Sequence, residues 1–115
     1  MDCLFCKIIN GEIPSNKVYE DEYVYAFHDI APMAPIHVLI IPKTHVESAA
    51  SLKEDELLLM QHLTVAAQKI AKNLGIYESG YRLVLNSGKD AGQTVFHLHM
   101  HLLGGGQLAD FGTKK

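Results

Sequence analysis

The sequence predicts an α+β domain built on an antiparallel sheet. Two observations lead to this prediction: turn signals separate five short β-prone segments, and only one stretch of the 115 residues has a long helical period. Regular alternation of strands and helices would indicate a doubly wound parallel sheet, but few strands here alternate with helices. The chain is long enough to bury one core, so we expect a single domain over residues 1–115.

The five expected strands are bounded by residues that interrupt strands. Turn-forming residues separate the first two, prolines flank the third, and a glycine-containing loop lies between the last two. We therefore expect strands over residues 17–20, 23–28, 37–41, 81–86 and 94–103.

One helix is expected over residues 52–74. Apolar residues recur there at intervals of three and four, the period of a helix that buries one face. Ser51 and Glu54 have the spacing of a capping box at the helix start, and Gly75 supplies the stop. We expect the apolar stripe to pack on the sheet as core.

The last expected strand carries three histidines at two-residue spacing. Alternate side chains of a strand point to opposite faces, so His97, His99 and His101 would share one face. The residues expected to pack inward are Phe96, Leu98, Met100 and Leu102. Buried imidazoles need partners, and imidazole suits proton, phosphoryl or metal chemistry near neutral pH. This face therefore indicates a functional site.

A glycine-containing loop over residues 86–94 leads into the histidine segment. Glycines let backbone amides approach an anion closely, and Gln93 and Thr94 add donors. The chain has a single arginine, Arg82, so a phosphate site has to rely on amides, hydroxyls or histidine. The loop beside the histidines is therefore expected to bind phosphate.

Two further features stay open from the residues alone. Asp29 lies between apolar neighbours, so its carboxylate suits either ribose hydroxyls or a capped turn. Cys3 and Cys6 are spaced so that two thiolates can reach one zinc, with His45 and His97 as candidate partners. A thiolate pair without zinc is the alternative, and a redox motif is disfavoured because the pair does not lie between a strand and a helix.

Composition disfavours several classes of partner. The formal net charge is −3 and the lysines are scattered, so we expect no nucleic-acid binding. No apolar stretch approaches the 18 residues of a membrane span, and no secretion signal is indicated, so we expect no membrane association. Two cysteines do not make a disulfide framework, and a cytoplasmic location is expected.

Taken together, these segments resemble the histidine triad nucleotide-binding family, in its branch of nucleoside phosphoramidases. The matching segments are CLFCKII at 3–9, FHDI at 27–30, APIH at 34–37, IPK at 41–43, NSG at 86–88, GQT at 92–94 and HLHMHLL at 97–103. The resemblance implies a five-stranded antiparallel sheet with one long helix and a short N-terminal helix. It also implies a homodimer with a ten-stranded sheet.

The resemblance further implies a reaction. His99 would attack the α-phosphorus of a purine nucleotide, such as an AMP or GMP phosphoramidate, and water would then release the monophosphate from a nucleotidyl-histidine. His101 would assist the leaving group, with His37 behind it. The implied nucleotide-binding residues are Leu4, Phe5, Ile8, Phe27, His28, Asp29, Ile30, Asn86, Gly92, Gln93, Thr94, His99 and His101.

A structural zinc is implied by the same resemblance, because some relatives hold the metal through two cysteines and two histidines. The corresponding residues are Cys3, Cys6, His45 and His97. A closed shell of four ligands would support the N-terminal segment, and no cofactor is expected for catalysis itself.

The substrate and the mechanism have alternatives, because the sequence departs from the family pattern in places and other functions fit the same residues. Thr94 stands where many relatives have serine, and residues 104–111 lack an aromatic-rich ending, so the leaving-group preference stays open. The same site could hydrolyse dinucleoside polyphosphates, or bind nucleotides without turnover. A His-x-His pair holding a catalytic zinc is disfavoured, because the last expected strand contains no acidic residue.

Overall fold

A five-stranded antiparallel sheet forms the centre of the protein. The structure is a computed structural model that describes residues 3–112. The strands are β1 (Lys17–Glu20), β2 (Val24–His28), β3 (Ile36–Pro42), β4 (Tyr81–Leu85) and β5 (Met100–Gly104). Their order across the sheet is β1-β2-β3-β5-β4, and every neighbouring pair is antiparallel. The expected α+β class and antiparallel sheet are confirmed.

Two α-helices cover the two faces of this sheet. Helix α2 (Leu58–Asn73) buries Leu63, Ala66 and Ile70 in a cluster with residues of β2, β3 and β5. The short α1 (Leu4–Ile9) belongs to a separate cluster, in which Phe5 and Ile8 pack with Phe27, Leu39 and Ile41. Side chains alternate along each strand, so one face of the sheet forms the main core and the other faces α1.

Helix α2 begins later than the sequence predicts. Two short 3₁₀ turns, Ala49–Ser51 and Glu54–Glu56, precede it, and the helix starts at Leu58. The predicted capping box is wrong, because the hydroxyl of Ser51 pairs with that of Ser48 at 3.1 Å. The carboxylate of Glu56, two residues beyond the predicted Glu54, accepts from the Lys53 amide instead. The stop at Gly75 is confirmed, with φ +77°.

Strand β5 is shorter than the predicted 94–103 because of a proline in its neighbour. Met100 pairs with Ile40, so continued pairing would set Leu98 opposite Pro42, which has no N–H to share. The Leu98 amide donates instead to the carbonyl of Val46 at 2.6 Å. The preceding segment bends, and Phe96 is 55 % exposed, so the prediction that it packs inward is wrong. The other three predicted inward residues are buried.

Candidate functional site

A cavity of about 310 Å³ opens on the α1 face of the sheet. Its volume lies at the lower end of the range of small-molecule sites, roughly 300–1,000 Å³. One part of the wall is apolar and is formed by Leu4, Phe5, Ile8, Ile13, Pro14, Phe27, Ile30, Leu39 and Val95. The other part is polar and is formed by Ser15, Asn16, His28, Asp29, Thr94, His99 and His101. This combination suits a ligand with an apolar ring and a charged end.

Most residues expected at a nucleotide site line this cavity, and three do not. Those outside the lining are Asn86, Gly92 and Gln93. Sequence reasoning missed six lining residues, namely Ile13, Pro14, Ser15, Asn16, Leu39 and Val95. A signal for Leu39 was available, because alternation along β3 places it on the same face as His37. The sequence of residues 13–16 indicates only a turn. The hydrogen bond from the His28 amide to the Asn16 carbonyl brings this segment to the cavity.

His99 is held in one tautomer by the backbone. Its Nδ1 lies 2.7 Å from the carbonyl oxygen of His97. A carbonyl can only accept, so Nδ1 carries the proton and donates it. In the neutral ring, Nε2 is then unprotonated and has a free lone pair. The edge-on ring of Phe5, with centroids 5.1 Å apart, supports this orientation. His99 can therefore act as a nucleophile at Nε2.

His37 and His101 form a hydrogen-bonded pair whose proton positions follow from a backbone amide. The Met33 N–H donates to Nδ1 of His37 at 3.1 Å, so the proton of His37 is on Nε2. That Nε2 lies 2.9 Å from Nδ1 of His101 and donates to it. His101 therefore carries its own proton on Nε2. The carboxylate of Asp29 lies 3.5 Å from Nε2 of His37.

Burial keeps this pair neutral at pH 7. Desolvation lowers the pKa of His37, and the charge of Asp29 opposes the effect. Burial also lowers the pKa of His101 to about 4, with charges on His99 and His37 acting in the same direction and Asp29 against it. At this pH, His101 is thus a neutral donor at Nε2.

The depressed pKa of His101 predicts acid-sensitive stability. The pKa is about 4 in the folded chain against an ordinary 6.5, so between these values only the unfolded state binds the proton. The stability that the folded chain gains from keeping His101 neutral is complete above pH 6.5 and is lost as the pH falls towards 4. By calorimetry, we expect the melting temperature to fall over this window by roughly 5 °C more in the wild type than in His101→Gln. Equal decreases in the two proteins would contradict the prediction.

A second cluster brings together four side chains that can bind a metal. The ligand atoms of Cys3, Cys6, His45 and His97 all lie within 4.8 Å of one another. Sulfur–nitrogen distances are 3.3 Å for Cys3–His97 and 3.4 Å for Cys6–His45, and the two Nδ1 atoms are 3.2 Å apart. A tetrahedral zinc would give about 3.5 Å and about 3.3 Å for these two kinds of distance. The four residues lie close enough to hold a metal ion, and the three distances given are near the tetrahedral values.

The protonation of this cluster also fits a cation. Nε2 of His97 donates to the carbonyl of Pro42 at 2.9 Å, so its Nδ1 lone pair faces the two sulfurs. Burial, followed by the neighbouring Cys3, raises the pKa of the Cys6 thiol to about 11. Two thiolates here would therefore need a positive charge between them.

Gln93 joins the glycine-containing loop to the rest of the site. Its amide nitrogen donates to the carbonyls of Glu47, at 2.7 Å, and Val95, at 3.1 Å. Its side-chain oxygen accepts from the Gly88 amide at 2.9 Å. Both amide hydrogens are engaged, so contact of Gln93 with a phosphate would require one of these bonds to exchange. The Gly92 amide is likewise bonded within the loop.

Comparisons with known proteins agree with this fold. The family model described as HIT domain matches residues 10–108. An uncharacterized HIT-like protein of Chlamydia trachomatis is 47% identical over 108 residues, which cover 94% of this chain and 96% of the relative. A histidine triad protein from Clostridium difficile has a TM-score of 0.94 and 48% identity, covering 97% of each chain. A HIT family hydrolase from Legionella pneumophila has a TM-score of 0.91 and 47% identity, covering 94% of this chain and 96% of its own. The chain belongs to the HIT domain family.

Proposed function

We propose that this protein is a purine nucleotide hydrolase that cleaves nucleoside 5′-phosphoramidates through a nucleotidyl intermediate on His99. The observation that supports this most strongly is the 2.7 Å contact between Nδ1 of His99 and the carbonyl of His97. It keeps Nε2 of a cavity-lining ring unprotonated, as nucleophilic attack on phosphorus requires. The similar Legionella protein, named a hydrolase, is consistent with this proposal.

The lining of the cavity includes groups suited to each of the three parts of a nucleotide. The apolar wall suits a purine, which gains more from burial and stacking than from charge. Asp29 is the proposed ribose ligand. One of its oxygens accepts from the Ala31 amide at 2.8 Å, so it also caps a turn, and the two interpretations are compatible. The Thr94 hydroxyl and the Nε2–H of His101 are the proposed phosphate donors.

The proposed reaction has two steps at phosphorus. Nε2 of His99 bonds to the phosphorus while the P–N bond breaks, and the leaving nitrogen takes a proton from His101. The negative charge of the bound phosphate favours the protonated form of His101, against the burial that lowers its pKa to about 4. The added proton would be on Nδ1, so His37 would then have to accept at Nε2, with its own proton moved to Nδ1 and the Met33 amide released. Water then attacks the phosphorus and returns a proton to His101. The products are the free amine and the nucleoside monophosphate, and His99 is regenerated.

We further propose that Cys3, Cys6, His45 and His97 hold a structural zinc. Four protein ligands would leave no open position for chemistry, so bound zinc would supply cross-linking alone. Cys3 precedes α1, and its sulfur accepts from the Cys6 amide at 3.3 Å. Zinc bound by this cluster would therefore fix the helix that carries Leu4 and Phe5 into the cavity wall.

A catalytic metal at the histidines is the less favoured mechanism. Asp29, His37 and His101 also lie within reach of one ion. However, the Met33 amide keeps the proton of His37 on Nε2, the atom that would have to bind the metal. The hydrogen-bonded pair fits proton transfer better than metal binding.

Two substrates distinguish the proposal from its alternatives. We expect the purified protein to release AMP from an adenosine phosphoramidate with a kcat/KM at least about tenfold above that for a diadenosine polyphosphate, measured by chromatography. Preference for the polyphosphate would show that the proposed substrate class is wrong, but it would be compatible with His99 as the nucleophile. Tight AMP binding with negligible turnover of both would leave a nucleotide-binding protein.

We also propose an oligomeric state, a location and a class of partner for the protein. Strand β4 is an edge of the sheet, and Leu83 on it is exposed, which fits pairing of two subunits into a ten-stranded homodimer. None of the helices in residues 3–112 has the length and apolar character of a membrane span. We propose a cytoplasmic protein whose partners are purine nucleotides, without binding to nucleic acid or membrane.

A further inference from the structure

Cys3 and Cys6 lie side by side at the start of α1, and we call them the thiol pair. Cys3 is the N-terminal cap of the helix, and its sulfur accepts from the Cys6 amide at 3.3 Å. The two sulfurs lie within 4.8 Å of each other, and both cysteines are free. A disulfide needs a sulfur–sulfur bond of about 2.05 Å, so the pair can close by movement of these side chains and the first turn of α1.

A small oxidant can reach the thiol pair from solvent. Cys3 forms part of the wall of a surface concavity of about 430 Å³, and Cys6 is only partly buried. A space of this volume admits hydrogen peroxide, which is little larger than a water molecule of about 30 Å³. The sequence disfavours a catalytic redox motif here, but a pair that is only oxidised and reduced needs no substrate site.

The thiol pair joins α1 to the segments beside β3 and β5. His45 follows β3, and His97 precedes β5. The sulfur of Cys3 lies 3.3 Å from Nδ1 of His97, and the sulfur of Cys6 lies 3.4 Å from Nδ1 of His45 and 3.6 Å from that of His97. Metal binding requires thiolates, and a disulfide has none. Oxidation would therefore end zinc binding and with it the link from α1 to both segments.

His97 connects this link to the nucleophile. Its Nδ1 faces the thiol pair, while its backbone carbonyl accepts from Nδ1 of His99 at 2.7 Å. Phe5 on α1 packs edge-on against both rings, with centroids 5.8 Å from His97 and 5.1 Å from His99. Leu4 and Phe5 also line the nucleotide cavity. A change at the thiol pair therefore reaches the cavity wall and the carbonyl that orients His99.

We propose that the thiol pair is a site of reversible oxidation by hydrogen peroxide, and that the disulfide form binds purine nucleotides more weakly. One thiolate attacks peroxide, the O–O bond breaks, and the products are a sulfenic acid and hydroxide. The second thiolate attacks the sulfenic sulfur, forms the S–S bond and displaces a second hydroxide. Two electrons pass from sulfur to oxygen, and two protons from solvent complete two molecules of water.

The effect on nucleotides rests on the proposed function, and the release of metal rests on the proposed zinc. The oxidation itself depends on neither. Exchange with a dithiol returns both cysteines to the reduced state. In the cytoplasmic setting proposed for this protein the thiol pair would be reduced at rest, so the disulfide would be transient.

Peroxide treatment of the zinc-loaded wild type tests the proposal. We expect a loss of about 2 Da in intact mass without reductant, a cross-linked peptide joining Cys3 and Cys6, and release of about one zinc per chain to a colorimetric chelator. After catalase has removed the peroxide, titration calorimetry should show AMP affinity lowered roughly tenfold, as it would be if α1 were in place in about a tenth of the molecules. Dithiothreitol with added zinc should restore the affinity.

Single-cysteine variants are the controls. Neither Cys3→Ser nor Cys6→Ser can form the disulfide within the chain, so peroxide should not lower their AMP affinity beyond its value before treatment. Methionine oxidation is separated by its chemistry. Met33 is 84 % exposed, but its sulfoxide adds mass and is not reduced by dithiothreitol.

A disulfide between Cys3 and Cys6 with unchanged AMP affinity would overturn the inference. Disulfides between chains, or oxidation of single cysteines without a disulfide, would overturn it as well. Reduced protein that holds no zinc would refute the zinc proposal alone, and mass and AMP affinity would still decide the inference. If the reduced protein binds no AMP, the proposed function fails, and disulfide formation measured without nucleotide decides whether the thiol pair is a redox site.

Discussion

The variant His99→Ala is expected to lose release of AMP from an adenosine phosphoramidate by at least about a thousandfold. The substitution removes Nε2 of His99, the atom proposed to form the covalent intermediate, and water would have to attack the substrate directly. The buried ring also packs against Phe5, so retained AMP affinity is needed to show that the cavity survives. Initial rates with a coupled AMP assay measure the loss.

His62→Ala is the matched control for this variant. His62 lies on α2, and its ring stacks on Tyr23 with centroids 3.9 Å apart, away from the cavity. We expect this variant to keep wild-type rates. Comparable activity of His99→Ala and the wild type would place the nucleophile elsewhere. Loss of AMP binding together with activity would point to collapse of the cavity.

Removal of the proposed zinc is expected to have the second large effect. If a zinc joins Cys3, Cys6, His45 and His97, chelation or Cys6→Ser should destabilise the fold by at least about 3 kcal/mol, or roughly 10 °C in melting temperature. AMP affinity should fall as well, because α1 contributes Leu4 and Phe5 to the cavity wall. Calorimetry and titration with AMP measure the two changes.

The chelator has its own control in the substituted protein. Cys6→Ser should already lack the metal, so the chelator should not lower its melting temperature further. Cobalt added to the metal-free wild type should give the absorption of a tetrahedral thiolate site, which reports ligation without any activity. Purified protein that contains no metal after growth with zinc, and is unaffected by chelator, would contradict the proposal.

Local patterns in the sequence predicted the sheet and the histidine face. Alternation of polar and apolar residues was enough to separate the histidines from Leu98, Met100 and Leu102, which pack on the opposite side with α2. Helical periodicity was enough to predict that this part of the chain contains a helix, and Gly75 was enough to predict its end. Such features depend on neighbours within one or two turns of chain, so sequence alone carries them.

Long-range contacts account for the differences. The start of β5 depends on the register with β3, which sets Pro42 opposite Leu98, and no local pattern shows this pairing. Ser51, predicted to cap the helix, pairs with Ser48 instead, and α2 begins further along the chain at Leu58. The sequence predicts that Gln93 donates to phosphate, but its side chain is bonded to the Glu47 carbonyl and the Gly88 amide. The tautomers of the histidines likewise depend on backbone groups such as Met33 N–H.

Direct capture of the covalent intermediate tests the central claim, that His99 is the nucleophile. Enzyme mixed with an excess of adenosine phosphoramidate would be quenched within the first turnover under alkaline denaturing conditions, which preserve phosphorus–nitrogen bonds to histidine. Intact mass spectrometry followed by peptide mapping would locate any adduct. We predict the mass of one adenylyl group on His99, and none in His99→Ala. Rapid turnover with no adduct, or an adduct on another residue, would contradict the account.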